Sequence, residues 1–214
     1  MPHFCASRRP LEYHSADCRG RRGDHAVPGR LCRENSSLIV VLLAALSLFD
    51  GESLTGWLTQ GDADWTVADG VLMATGTGQG FVMTEALYGD FELSLEFWVD
   101  ASTNSGVFIR CKRRDRIHPD SCYELNIWDE HPRQEARTGA IVFKVMPPLS
   151  RVDTVGRWSD MSVVADGKRI EVTVNGQLTA RLDDADTRAG FIALQHWESG
   201  TVKFRNLTLT PLEK

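Results

Sequence analysis

The side chains able to do chemistry in this 214-residue sequence gather between Asn104 and Asp129, in NSGVFIRCKRRDRIHPDSCYELNIWD. Period-two alternation through two strands joined by a polar loop puts Val107 and Ile109 on one face of the first strand and Phe108 and Arg110 on the other. In the second strand Leu125 and Ile127 oppose Glu124, Asn126 and Trp128. One face is core. The other carries a cation, a carboxylate, an amide and an indole, a set that can move a proton, hold developing negative charge and hydrogen-bond a polar ligand. The plainer reading is a solvated face, on which Arg110 pairs with Glu96 of a neighbouring strand, or Glu124 with Lys144 or Arg110. Such pairs are worth roughly 0.2–1 kcal/mol.

Other chemistries have less behind them. The loop DEHPRQEARTG places Asp129, Glu130 and His131 in a row, and a divalent cation there would add Glu135. Adjacent residues seldom converge on one ion, however, and His131-Pro132 reads equally as turn punctuation. Asp129 and His131 stand as the minor metal reading, and no organic cofactor is implied. The sequence contains no HExxH, EF-hand loop or G-x-S-x-G, and GTGQG at residues 76–80 precedes strand-like FVMT where a phosphate loop would open a helix. Lys112 to Arg116 form a basic knot, read first as a solvated loop.

The elements that must position these residues are strands. From Leu48 onward the chain is a succession of short alternating segments broken by turn signals. Asp69-Gly70 joins Trp65–Val67 to Val71–Met73. In FELSLEFWV the apolar Phe91, Leu93, Leu95, Phe97 and Val99 alternate with Glu92, Ser94, Glu96 and Trp98. GAIVFKVM follows the central pair, and Asp166-Gly167 and Asn175-Gly176 divide the next stretch into a three-strand meander. A closing hairpin is expected from Phe191–His196 and Thr201–Leu209. Ten or more strands without a helical period predict an all-β, two-sheet antiparallel sandwich of jelly-roll type. Trp57, Trp65 and Trp158 read as packing, while Trp128 and Trp197 lie at strand ends beside turns.

Composition bounds the rest. A hydrophobic fraction of 42% supports one sizeable core, and a net charge of -5 gives no basic footprint for nucleic acid. Residues 1–37 hold seven Arg against four acids, three of the five Cys and no periodicity, and read as a disordered or mis-annotated extension. The apolar run 38–47 is too short for a stable membrane span, which needs about 20 residues, and suits the core of a signal peptide. Its internal position fits a start codon placed too far upstream, with export of a domain beginning near Ser47. A first buried strand or helix is the equal alternative. Cys111 and Cys122 bracket the central loop as either a bridge or two free thiols. Nothing in the sequence bears on subunit association.

The segments LFDGESLTGW, DWTVADGVL, YGDFELSLEF, NSGVFIR, CYELNIWDEHP, RTGAIVF, GRWSDMSVVADGKRIEVTVNG, GFIALQHW and VKFRNLTLTPL occur in that order. Together, over residues 48–214, they resemble the 3-keto-disaccharide hydrolase domain family. The resemblance implies a concanavalin-like or laminin-G-like jelly roll, export, and cleavage of glycosides oxidised to a ketone at C3. Such a ketone acidifies the C2 proton, so a base can remove it, a donor can hold the enediolate, and the C1 group leaves before water adds back. On that implication Glu124 is the base and Glu96 its rival, Arg110 or Lys144 holds the oxyanion, and His131 or His196 acts as acid or base. Asn126 and Gln195 bind sugar hydroxyls, and Trp128 or Trp197 stacks on the ring. Alternation puts His196 on the face opposite Gln195. The competing reading is a non-catalytic carbohydrate-binding module of the same architecture.

Overall fold

Turn chemistry and alternation set the strands, and the burial of their two faces sets the layers. The computed structural model describes residues 44–186 and 188–213. The extension 1–37 and the apolar run as far as residue 43 lie outside the described residues. Thirteen strands are described: β1 (Leu46–Ser47), β2 (Trp57–Gly61), β3 (Asp64–Ala68), β4 (Val71–Thr75), β5 (Gly80–Thr84), β6 (Phe91–Val99) and β7 (Asn104–Cys111). They continue with β8 (Tyr123–Ile127), β9 (Ser159–Asp166), β10 (Arg169–Val174), β11 (Gln177–Leu182), β12 (Phe191–Trp197) and β13 (Thr201–Pro211). One sheet runs β11-β10-β9-β6-β13-β4-β3 with β1 added to β13, and the other runs β2-β5-β12-β7-β8. Every strand pair is antiparallel, giving the expected jelly-roll sandwich. Among the described residues no helix is long and apolar enough to cross a membrane.

The two sheets treat water differently. In β6 and β9 buried and exposed positions alternate, so the larger sheet has one dry and one wet face. In β5, β7, β8 and β12 nearly every residue is buried. The inner side of the smaller sheet joins the main core through Val107, Ile109, Leu125, Ile127, Ile192 and Leu194. Its outer side carries a second cluster, Phe81, Met83, Phe108, Cys111, Cys122, Phe191 and Ala193, with Ile117 of the 112–121 loop packed on it. Cys111 and Cys122 form a disulfide at the base of that loop, contributing about 2–3 kcal/mol by restricting the unfolded chain.

Turns explain most connections and correct three expectations. Asp69-Gly70 and Asn175-Gly176 both have two positive φ angles, the pair required for a two-residue hairpin. Gly167-Lys168, rather than Asp166-Gly167, links β9 to β10. GAIVFKVM is not a strand: only isolated bridges form, Ile141 to Leu125 and to Val145, because Phe143 takes a φ of 61° and turns the chain back. β12 and β13 do not pair as a hairpin. The bend through Ser199-Gly200 carries the chain from the smaller sheet into the larger, where β13 lies between β6 and β4.

The largest departure concerns Arg110, which alternation puts beside Phe108. Phe191 pairs with Cys111 and Ala193 with Phe108, so β7 holds one residue more than β12 over the same interval. Arg110, at φ 53°, is in that bulge. The extra residue returns Cys111 to the outer face and buries Arg110 completely, at 0% exposure. The guanidinium donates to the Gly167 and Asp186 carbonyls, each at 2.8 Å, and to Asp90 Oδ1 at 2.9 Å. It therefore ties β7 to the β9–β10 turn and the start of β6, and takes no part in the polar face that it was expected to share with Glu124. Gly190 makes the bulge possible: a Cβ there would lie 2.3 Å from the Arg110 carbonyl carbon.

Arg110→Met should therefore cost about 3–5 kcal/mol, since it removes the buried cation that faces the Asp90 carboxylate at 2.9 Å, together with two donations to part-buried carbonyls. Urea unfolding measures it, and a loss below about 1 kcal/mol would contradict the clamp.

Candidate active site on the outer face of the smaller sheet

Cross-strand register builds the site row by row, because directly paired residues in antiparallel strands point to the same face. One row is Met83, Ala193, Phe108 and Glu124. The next is Phe81, Gln195, Gly106 and Asn126. Trp197 pairs with Asn104 one step further on. Gly106 is flanked by two amides and contributes no side chain. A Cβ there would lie 3.4 Å from the Phe108 ring and 3.5 Å from Glu124 Cγ, so glycine leaves the floor open beside the carboxylate.

Walls rise from the loops around this floor. Ile117, His118 and Pro119 come from the disulfide-closed loop, and His131, Arg133, Val142 and Phe143 from the segment after β8. Together with Phe81, Asn104, Phe108, Glu124, Asn126, Trp128, Gln195 and Trp197 they enclose about 260 Å³. The segment after β8 is held by the free edge of that strand: Val142 N–H donates to Glu124 O, and Asn126 N–H to Ala140 O, each at 3.0 Å. Phe81 meets Phe108 edge-on at 5.4 Å between ring centres, and Trp128 meets His131 at 4.4 Å.

Glu124 is the one strongly perturbed group in this cavity. It is 9% exposed, and no hydrogen bond or ion pair with another described residue engages its carboxyl. Burial alone pushes its pKa up to about 7. Such a carboxyl exchanges protons readily at neutral pH, in either direction. Gln195 is 7% exposed, and its Oε1 is buried without a hydrogen-bond partner, an acceptor left for a ligand. Asn126 donates its amide to the Ala136 carbonyl, which fixes the side chain. His131 Nδ1 accepts the Arg133 N–H at 2.9 Å, and burial lowers the imidazole pKa. The proton of the neutral ring is then on Nε2.

Glu124, Asn126, Trp128, His131, Gln195 and Trp197 thus meet at one cavity, and the other candidates stand apart. Glu96 is on the outer face of the larger sheet, where Arg205 reaches Oε2 at 2.6 and 2.8 Å and Asn206 reaches Oε1 at 2.6 Å. These bonds hold its carboxyl below the usual range. It is neither the rival base nor the partner of Arg110. Lys144 is exposed and lines a neighbouring hollow with Lys112, Lys168 and Arg188. His196 is fully buried on the inner face, its ring nitrogens 2.8 Å from Gly78 O and 3.2 Å from Gly200 O, so it braces the bend after β12 and reaches no ligand. Asp129 accepts from Thr154 Oγ1 at 2.9 Å and from the Thr154 N–H at 2.5 Å. It is turned to the 154–155 backbone, and among the described residues no three His, Cys, Asp or Glu gather as a metal site.

Sequence reasoning missed Asn104, Gly106 and the loop residues Ile117, His118 and Arg133. Gly106 alone left a signal, a glycine inside a strand marking close approach.

The raised Glu124 pKa makes a stability prediction whose sign is fixed by linkage. The unfolded side chain ionises near 4.5 and the folded one near 7. Its contribution is complete below 4.5 and is lost as pH rises through 7. Glu124→Gln should therefore raise stability at pH 8 by on the order of 3 kcal/mol, with little change at pH 4.5. Thermal melts at the two pH values measure the difference, and equal effects would contradict a desolvated carboxylate.

Comparison with known proteins places the chain. Residues 44–210 match the family described as the 3-keto-alpha-glucoside-1,2-lyase-like domain. A search of curated proteins finds no match. Two solved structures from Parabacteroides distasonis ATCC 8503, each named as a candidate glycosyl hydrolase, align with TM-scores of 0.67. One is 25% identical over 79% of this chain and 100% of its own, the other 19% identical over 79% and 94%. Carbohydrate binding module CBM66 from Bacillus subtilis aligns with a TM-score of 0.54 at 18% identity, over 72% of this chain and 95% of that one. Since the family match runs through nearly all of the described sandwich, the chain belongs to the 3-keto-alpha-glucoside-1,2-lyase-like domain family, the one that its ordered segments resemble.

Proposed function

We propose that the cavity binds the oxidised ring of a 3-keto-glycoside and cleaves its C1–O bond, with Glu124 as the base. The observation that carries this reading is the buried, unengaged carboxyl with a pKa of about 7 at the wall of a cavity floored by Gly106. Glu124 takes the proton from C2, and the electron pair moves into the C2–C3 bond as the ketone oxygen gains negative charge. His131 Nε2–H donates to that oxygen, the part first given to Arg110. The enolate then collapses, C1 and C2 become doubly bonded, and the C1 oxygen leaves with a proton from the newly protonated Glu124. Water adding across the double bond completes hydrolysis. Gln195 Oε1 accepts a sugar hydroxyl, and Trp128 and Trp197 face the ring.

Family membership supports the substrate class, and the Cys111–Cys122 bridge supports an oxidising, extracytoplasmic location. The volume of about 260 Å³ is slightly under the range of roughly 300–1,000 Å³ typical of drug-sized ligands, which suits one ring.

Incubation of the full chain with 3-keto-trehalose, with and without divalent cation and chelator, should release 3-ketoglucose or its dehydrated form. kcat/KM should rise with pH to a plateau above about 7, falling tenfold per unit below. Glu124→Gln should lose about 10²–10⁴-fold, the range for a general base. Turnover that survives this substitution removes Glu124 from the chemistry, and binding without turnover in the unaltered chain would make the domain a carbohydrate-binding module.

A further inference from the structure

The basic knot at Lys112 to Arg116 does not act as a unit. Arg113 pairs with Asp115, and Arg116 with Asp120. Arg114 donates to the Thr84 and Glu85 carbonyls and covers the Phe191 ring at 4.7 Å. Lys112 instead lines the hollow of about 490 Å³ that flanks the candidate active site and meets it at Pro119. There it joins Lys144 from the segment after β8, Lys168 from the β9–β10 turn and Arg188 from the connection between β11 and β12. The fold thus gathers cations from four separate segments, in a chain whose net charge is -5.

Asp120, Asp184 and Asp186 line the same hollow, and they do not balance these cations. Asp120 is held at 2.5 Å by Arg116, which lies outside the lining. Asp186 Oδ2 serves two cations at once, Lys112 at 3.2 Å and Arg188. Asp184 faces Lys168 at 3.7 Å with both side chains well exposed, a contact that yields to a ligand at small cost. No described residue pairs with the Lys144 ammonium. Arg188 is the fixed member of the set. Its Nε donates to Arg110 O at 2.8 Å and its Nη2 to Ser121 O at 3.3 Å, while the guanidinium lies 5.4 Å from the centre of the Tyr123 ring. One N–H on each terminal nitrogen is left over, on a group already held in place.

We infer that this hollow is an anchoring site for an acidic glycan, and that it takes a hydroxylated ring bearing one carboxylate or sulfate group. The acid group meets Lys112, Lys144 and the remaining N–H groups of Arg188, and the ring hydroxyls donate to Asp120 and Asp184. A neutral sugar would leave the surplus cations unmatched, and a bare inorganic anion would sit beside two carboxylates with nothing to donate to them. The volume is within the range of roughly 300–1,000 Å³ usual for small-molecule sites. The inference rests on the sugar-binding part of the proposal above and not on Glu124 as the base.

Calorimetric titration of the full chain at low ionic strength tests this, with methyl β-glucuronide, glucose 6-sulfate, methyl β-glucoside and inorganic sulfate as probes. One of the two acidic sugars should bind about tenfold more tightly than the glucoside and than sulfate, as expected when charge-assisted hydrogen bonds add to those of the ring, and added sodium chloride should weaken it. Lys112→Ala combined with Lys144→Ala should abolish the preference with the melting temperature unchanged, since both side chains are exposed. Arg151→Ala, a basic residue outside the hollow, should leave it intact. The inference is overturned if the glucoside or inorganic sulfate binds as tightly as the acidic sugars, if neither acidic sugar binds, or if the double substitution keeps the preference. The two readings fail separately. Preference for an acidic sugar in a chain inert toward 3-keto-trehalose leaves the anchor standing and removes the lyase chemistry; turnover in a chain that binds neither acidic sugar does the reverse.

Discussion

One inserted residue in β7 governs the organisation of this domain. Before the bulge, Asn104, Gly106 and Phe108 point outward and make the floor of the cavity. After it the phase reverses, so that Cys111 points outward and bonds Cys122, while Arg110 points inward. The bulge thereby separates two tasks that simple alternation would have mixed. Arg110 fastens the smaller sheet to the β9–β10 turn and to Asp90, and the disulfide fastens the loop that supplies Ile117, His118 and Pro119 to the cavity wall. Without the phase change the guanidinium would sit beside Glu124, and an opposite charge within a few ångströms would hold the carboxyl ionised at low pH.

The raised pKa of Glu124 thus depends on what is kept away from it. Burying a carboxyl without a donor is unfavourable, and most folds avoid it or neutralise it. Here the cost is carried by a sheet covered on both faces, whose inner residues belong to the main core and whose outer aromatic cluster is itself dry. Glu96 is the contrasting case. It lies on a strand of the other sheet, with one wet face, accepts three hydrogen bonds, and titrates low. The difference between the two carboxyls comes from their partners and their solvent.

Much of this was legible in the sequence. Asp-Gly and Asn-Gly pairs marked hairpins because few residues other than glycine, asparagine and aspartate tolerate positive φ, and β6 displayed its two faces letter by letter. Glu124, Asn126 and Trp128 were recognisable by the same alternation, as was the inward placement of His196. Arg110 was not, because a bulge adds a residue without a distinctive composition and inverts every position after it. The supposed hairpin of β12 and β13 failed for a related reason: Ser199-Gly200 announces a turn, but local sequence does not say whether the chain returns to the same sheet. Loop residues such as His118 and Arg133 gain their positions from the disulfide and from the edge of β8, both long-range features.

The bend after β12 has a consequence for how the protein must be made. It delivers β13, the last described strand in the sequence, to the middle of the larger sheet, between β6 and β4, with β1 also resting on it. A ribosome therefore releases the twelve preceding described strands before that layer can close, and its central seam joins segments about a hundred residues apart. Vectorial, piecewise assembly is denied to such a topology, and long-range pairing of this kind is slow. The nascent chain must keep this layer open until β13 emerges to fill its centre.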